Sequence, residues 1–310
     1  MNDQSGGMKI KVSVIIPTYR RPETLKRAVD SVLSQTLFNI QLIVVDDNDP
    51  LDENRNRTEQ IMAVYESNPR VLYLQHKKNK NGATARNTGI KSATGEYVAF
   101  LDDDDQFESE RLEMMTKYMD NLGPEWGACY SGYLKYMKDG IQRSSERAEG
   151  DLLVQALMRS LYIGSGSNLF FRKSVVENIG AFDENFLRNQ DLEYLVRVLK
   201  KYKMGYVNES LLKIHYDKRT VNFSFEKSME RELIFERSFK SIIDQLSIED
   251  KRRVLIMHDI DRMRMCIIYK KYLKALKYVY TSKVPLGVLL KYLLYAYDRK
   301  KNDTSYGFVF

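Results

Sequence analysis

Along the first hundred residues, short apolar runs alternate with stretches whose apolar positions recur every three or four residues. Ile10 to Ile16 is apolar and β-branched and is stopped by Pro17, which predicts a buried strand. Pro22 stands where a first helical turn tolerates proline. Leu25, Ala28, Val29, Val32 and Leu33 then follow on one helical face. Ile40 to Val45 predicts a second strand, Glu53 to Glu66 a helix, and Val71 to Leu74 a third strand. Ala83 to Lys91 reads as helix and Tyr97 to Leu101 as a fourth strand. Strands alternating with helices at this spacing predict βαβ units and a largely parallel sheet.

The second half is more mixed. Gly127 to Tyr133 predicts a strand, and Lys138, Asp139 and Gly140 have hairpin-turn chemistry. Residues 151–161 read as helix, Asn168 to Arg172 as strand and Asp191 to Lys203 as helix. From about Phe225 the pattern is helical almost to the end. The boundary falls near residue 220, where balanced composition gives way to Lys, Tyr, Met and Leu. Residues 1–9 read as a disordered leader or an expression remnant, with Met8 a natural start.

Composition narrows the class. With 310 residues, 43% apolar and 29% charged, the chain is ordinary for a globular protein. Cys129 and Cys266 are too few for a disulfide scaffold or a thiolate zinc cluster, and are read as buried small apolar groups. Three histidines, His76, His215 and His258, argue against a polyhistidine metal site. No run approaches the roughly 18 uninterrupted apolar residues of a membrane span, and no secretory signal opens the chain. The default expectation is a cytoplasmic protein. Residues 251–310 carry 14 basic and 4 acidic side chains against a net charge of +7 for the whole chain. The body is therefore slightly acidic, which argues against a nucleic-acid partner.

The strand ends hold the chemistry. In a parallel sheet, ligands bind beyond the carboxyl ends of the strands. Here those ends carry Pro17, Thr18, Tyr19 and Arg20, then Asp46 and Asp47, then Asp102 to Asp105. Adjacent carboxylates repel unless a cation or solvent screens them, and Asp102 and Asp104 share a face in an extended segment. Hard oxygen ligands in small number suit Mg²⁺ or Mn²⁺ shared with phosphate oxygens. A solvated acidic turn is the other reading.

Five ordered motifs carry a resemblance: VSVIIPTY at 12–19, SVLSQT at 31–36, IVVDD at 43–47, NGATARN at 81–87 and GEYVAFLDDDD at 95–105. Together they resemble the family 2 glycosyltransferases, non-processive and of the bacterial surface-polysaccharide or capsule type. The stretch from Gly180 through Gln190 and Asp191 to Arg197 is similar to that family's acceptor-side region. The resemblance implies an α/β GT-A fold over 10–220, with a Rossmann-like nucleotide-sugar half (10–105) and an acceptor half (106–220). A basic helical appendage follows at 221–310.

The resemblance also implies roles. Pro17, Thr18, Tyr19 and Arg20 would meet the nucleoside, Asp47 the base and Arg86 the donor phosphates. Asp102 and Asp103 would lie at ribose or metal, Asp104 on Mn²⁺ or Mg²⁺, and Asp191 would be the general base. A histidine near His215 reaches metal or diphosphate in some relatives; packing is its other reading. Asp191 opens an amphipathic helix, so an N-cap role competes with the catalytic one. Gln190 stands where the family commonly has Glu, and the Q-x-x-R-W signature of processive synthases is absent.

The resemblance implies inverting transfer of one sugar from a nucleotide-sugar, a UDP-sugar first with GDP and dTDP donors open, to a saccharide or lipid-linked saccharide. The competing reading is a catalytically degenerate fold acting as a membrane or assembly partner. A sugar nucleotidyltransferase would place a glycine-rich loop after the first strand, and this chain has none there. The basic segment 251–310 is amphipathic, with Ile268, Tyr272, Leu276 and Tyr280 on one face and lysines on the other. It predicts either peripheral contact with the inner face of the cytoplasmic membrane or packing, including a homodimer.

Overall fold

The computed structural model describes residues 9–186, 188–216, 224–282 and 284–310. The expected leader at 1–9 lies almost wholly outside them. The chain divides into two compact units: Met1–Asp151 with Ile163–Asp217, and Leu152–Tyr162 with Lys218–Phe310.

The first unit opens with β1 (Val12–Thr18), α1 (Pro22–Leu33), β2 (Ile40–Asp46), α2 (Glu53–Ala63), β3 (Val71–Gln75), α3 (Gly82–Ser92) and β4 (Tyr97–Phe100). Strand β1 is central and pairs in parallel with β2 and β4, and β2 pairs in parallel with β3. Both central strands are buried on both faces, as their mainly apolar sequences require, with Ser13 and Gln41 as polar exceptions within them. Pro17 does not end β1. Pairing with β4 stops at Ile15, whose carbonyl takes the amide of Leu101 at 3.0 Å. Two residues on, the missing proline N–H faces the same side, where the ladder has already ended.

The sheet then turns antiparallel. It continues through β5 (Gln106–Phe107), α4 (Arg111–Asp120), β6 (Trp126–Met137) and β7 (Gly140–Ser144). After the second unit's short α5 (Leu153–Leu157) come β8 (Phe170–Arg172), α6 (Lys173–Ile179), α7 (Gln190–Leu199) and β9 (Lys203–His215). Strand β8 joins β4 to β6 with antiparallel pairing on both sides. The 13-residue β9 was not expected from the pattern. It runs parallel to β6 and pairs with β5, with register shifts that interrupt its alternation. One core cluster fills the sheet's face against α1 and α4, including Val14, Leu25, Val29, Leu42, Met115 and Leu212.

The second unit is helical: α5, then α8 (Phe225–Asp244), α9 (Ile248–Ile268), α10 (Tyr272–Thr281) and α11 (Leu286–Lys301). Ser224 and Ser247 cap α8 and α9 by accepting from the amides of Lys227 and Asp250. Residues 152–162, expected in the acceptor half, belong here. His258 Nε2 bonds the Leu157 carbonyl at 2.8 Å, and Arg159 pairs with Glu232. Cys266 is buried with Phe225 and Ala275. Cys129 is buried in β6, so both cysteines pack as read from the sequence. Among the described residues no helix is long and apolar enough to cross a membrane.

Candidate active site

Parallel pairing brings the ends of β1, β2 and β4 to one edge of the sheet, so the polar ends converge as expected. The acidic run alternates. Asp103 and Asp105 turn inward and are almost fully buried, while Asp102 and Asp104 keep partial exposure.

Asp103 ties the run to the end of β1. Thr18 Oγ1 donates to it at 2.8 Å, the Tyr19 amide at 3.3 Å and Arg21 Nη1 at 3.0 Å. Burial pushes its carboxyl up to about 7, against the pull of Arg21. Arg21 also pairs with Asp104. Arg20 faces the segment after β2: its amide donates to Asn48 Oδ1 at 2.8 Å and its guanidinium to Asp52 at 2.7 Å.

Asp105 anchors the floor. It accepts from Ser165 Oγ at 2.9 Å, Ser167 Oγ at 2.6 Å and the His215 amide at 3.3 Å. Burial and neighbouring Asp102 push it up to about 8. Below it the fully buried Arg111 donates to Ser131 Oγ at 2.7 Å and to the Asn168 carbonyl and side chain at 3.1 Å. Burial lowers this guanidinium to about 10.

Asp47 is buried and accepts from four groups of the segment after β3. These are His76 Nδ1 at 2.7 Å, Asn79 Nδ2 at 2.8 Å, and the amides of Lys80 and Asn81 at 2.9 and 3.0 Å. His76 Nε2 continues to Thr88 Oγ1 at 2.9 Å. Asp47 therefore shapes the turn leading into α3. Asn81 caps that helix by accepting from the Thr84 amide at 3.0 Å.

Arg86 lies in the second turn of α3 and reaches two parts of the site. Its Nη2 donates to Asp102 Oδ1 at 2.7 Å and its Nη1 to Gln190 Oε1 at 3.2 Å. One residue on, Asn87 exchanges hydrogen bonds with the Phe182 backbone at 2.8 and 3.0 Å, joining α3 to the segment before α7.

Asp191 is partly buried in the first turn of α7. The N-cap is Asn189, in the left-handed region at φ 53°, so Asp191 is not the cap residue. Burial raises the Asp191 carboxyl above the ordinary carboxylate range, Arg86 opposes the shift and Asp102 adds to it. A Cβ on Gly166 would stand 3.3 Å from Asp191 Cβ, so the turn before β8 has room for no larger residue there without movement.

His215 ends β9. Its amide is held by Asp105, and its ring stacks on Tyr136 at 5.2 Å and 13°. Among the described residues no three His, Cys, Asp or Glu side chains converge as a metal-ligand set. Asp102 and Asp104 remain as a pair of hard carboxylates on the accessible side of the run. That donor set fits a cation completed by phosphate oxygens and water.

Sequence reasoning gave no role to Arg21, Asn87, Ser167 or His76, and named Asp105 only as a member of the acidic run. Arg21 and Asp105 lie beside residues already singled out, and position alone marked them. Nothing in the pattern marked Ser167.

A half-parallel sheet that turns antiparallel beyond β4, with an aspartate run at that crossing and a carboxylate facing it from a helix start, defines a GT-A glycosyltransferase scaffold. Residues 13–180 match the model of glycosyl transferase family 2, and the chain belongs to that family. It is 29% identical over 219 residues to an uncharacterized glycosyltransferase of Rickettsia felis, covering 69% of this chain and 34% of that protein. The chain thus spans about a third of that relative's length. It is also 29% identical over 187 residues to the GalNAc(5)-diNAcBac-PP-undecaprenol beta-1,3-glucosyltransferase of Campylobacter jejuni, covering 58% of this chain and 57% of that one.

Among solved structures it is similar to S. aureus TarS 1-349 in complex with UDP-GlcNAc. The TM-score is 0.64 at 16% identity, over 94% of this chain and 89% of that chain. The mannosyltransferase PcManGT of Pyrobaculum calidifontis, in complex with GDP-Man and Mn²⁺, gives a TM-score of 0.58 at 16% identity, over 94% and 80%. At that identity both show the fold.

Proposed function

We propose that the chain transfers one sugar, with inversion, from a UDP-linked donor to a hydroxyl of a saccharide or lipid-linked saccharide. Asp191 serves as general base. The observation that carries this reading is Asp191 itself, a partly buried carboxylate of raised proton affinity beside Arg86 and Asp102. Raised proton affinity makes the ionised carboxylate a stronger base toward an acceptor hydroxyl.

In the single displacement, the Asp191 carboxylate accepts the acceptor hydroxyl proton as the new bond from that oxygen to the anomeric carbon forms. The bond from the anomeric carbon to the diphosphate oxygen breaks, and the nucleoside diphosphate leaves with the electron pair. Arg86 and Arg21 supply positive charge beside the acidic run and complement the diphosphate. Pro17, Thr18, Tyr19 and Arg20 line the nucleoside side, with Asp103 fixing the turn and Asp47 shaping the wall near the base. Asp102 and Asp104 would hold Mn²⁺ or Mg²⁺, which when bound neutralises charge on the leaving group. The C. jejuni relative is named for a lipid-linked saccharide, in keeping with the acceptor proposed.

Calorimetric titration with UDP, with and without Mn²⁺ and with GDP as control, tests the donor. Metal-strengthened UDP binding supports the reading, and selective GDP binding changes the nucleotide. Folded protein that binds neither overturns the donor assignment in favour of a degenerate fold.

A further inference from the structure

Two helices of the second unit present apolar stripes to solvent. On α11, Leu286, Leu290, Leu293, Leu294 and Tyr297 recur at i, i+4, i+7, i+8 and i+11, with exposures between 55% and 79%. The other side of α11 is occupied: Tyr292 packs edge-on against Phe308, and Tyr295 donates to the Tyr306 carbonyl at 2.7 Å. On α10, Leu273, Leu276 and Tyr280 are exposed at i, i+3 and i+7, while Ala275 is buried with Cys266. A helix normally turns its apolar stripe inward, so stripes facing outward mark an interaction surface.

Charge identifies the occupant. From residue 267 to 301 the sequence has nine basic residues and one acidic residue, Asp298. Lys270, Lys271, Lys274, Lys277, Lys291, Lys300 and Lys301 are exposed. Asp298 is held by Tyr306 Oη at 2.6 Å. By helical spacing Lys277 borders the α10 stripe, and Lys300 and Lys301 border that of α11. A symmetric contact with a second copy would bring these basic helices against themselves. A surface apolar within and negative at its boundary complements them. Exposed Tyr272, Tyr280 and Tyr297 suit such a boundary, with an apolar ring and a polar tip.

We propose that α10 and α11 seat the protein on an anionic phospholipid surface, by inserting their exposed Leu and Tyr side chains below a ring of lysines. This inference stands apart from the donor-site reading. It is tested with the full chain by co-sedimentation with vesicles of phosphatidylcholine plus phosphatidylglycerol, and with vesicles of phosphatidylcholine alone. Binding to the anionic vesicles is expected, weakening as salt rises. Each of Lys270→Ser, Lys274→Ser and Lys277→Ser should lower the partition coefficient about fivefold. Leu290→Glu with Leu294→Glu should abolish binding while circular dichroism is unchanged, since both sites are exposed. Failure to bind anionic vesicles overturns the proposal. So does equal, charge-independent binding to both kinds. A dimer seen by light scattering that Leu290→Glu dissociates overturns it in favour of a second copy.

Discussion

Arg86 donates to Asp102 at 2.7 Å from α3, and its other terminal nitrogen is held by Gln190 at 3.2 Å. One guanidinium thus links the acidic run at the end of β4 to the first turn of α7. Gly82 makes room for the pair, since a Cβ there would stand 3.1 Å from Arg86 Nη1 and 3.3 Å from Gln190 Oε1. Gln190 is neutral, so it orients Arg86 without cancelling its charge.

Replacing Arg86 by Gln should therefore weaken UDP binding and leave the fold intact. A charge-assisted hydrogen bond contributes about 1.5–3 kcal/mol, which converts to a loss of roughly 10- to 100-fold in affinity. Calorimetric titration of the variant checks this. An affinity within twofold of the parent would remove Arg86 from the donor side.

As the proposed general base, Asp191 should set the pH dependence. Its carboxyl is raised, and the base acts only when ionised, so kcat/KM should fall as pH falls through that raised value. The descent should begin at higher pH than an ordinary aspartate would give. Asp191→Asn should lose about 10²–10⁴-fold in turnover and lose that limb of the profile, with nucleotide affinity unchanged. Product formation across a pH series, with calorimetry in parallel, separates the two effects.

Much of this site was legible in the sequence because a parallel sheet collects strand ends on one edge. Once β1, β2 and β4 were read, Thr18, Asp47 and Asp102 to Asp105 had to be neighbours. Which aspartates faced inward was not legible, because the inward partners come from far along the chain. Ser165 and Ser167 precede β8, and the His215 amide ends β9. Strand β9 itself was hidden, since its irregular pairing with β6 breaks the alternation that reveals a strand. Residues 152–162 read as part of the acceptor half because amphipathicity shows that a helix packs, not against what.

The alternation within the acidic run makes a prediction about metal. Asp104 and Asp102 face the accessible side, so Mn²⁺ should tighten UDP binding in the parent protein and a chelator should reverse it. Asp104→Asn should bind UDP alone about as the parent does and lose most of the response to Mn²⁺. Equal enhancement in the variant would move the cation elsewhere.

Arg111 is expected to matter for stability rather than for binding. It is fully buried, and replacing it by Met removes a cation that satisfies Ser131 and both oxygens of Asn168. Asn168 Oδ1 keeps the Ser131 amide at 3.1 Å, but a buried acceptor left without its donor costs about 1–3 kcal/mol, so the variant should unfold at clearly lower urea. Trp126, the chain's single tryptophan, opens β6, the strand that carries Ser131, and reports the unfolding of the first unit.

Gly166 offers a steric test of the proposed general base. Its backbone angle poses no difficulty for a side chain, so the restriction is space alone: Asp191 Cβ would be 3.3 Å from an added Cβ. Alanine requires a shift of a few tenths of an ångström and should cost little. Valine adds branches that push on the first turn of α7, displacing the carboxylate from the acceptor. Small misplacements of a reacting group lower rates by about two orders of magnitude. Gly166→Val should therefore lose turnover steeply while its affinity for UDP stays within twofold, with Gly166→Ala close to the parent. If valine instead weakens UDP binding and spares turnover, the turn before β8 belongs to the donor side and Asp191 is not what it positions.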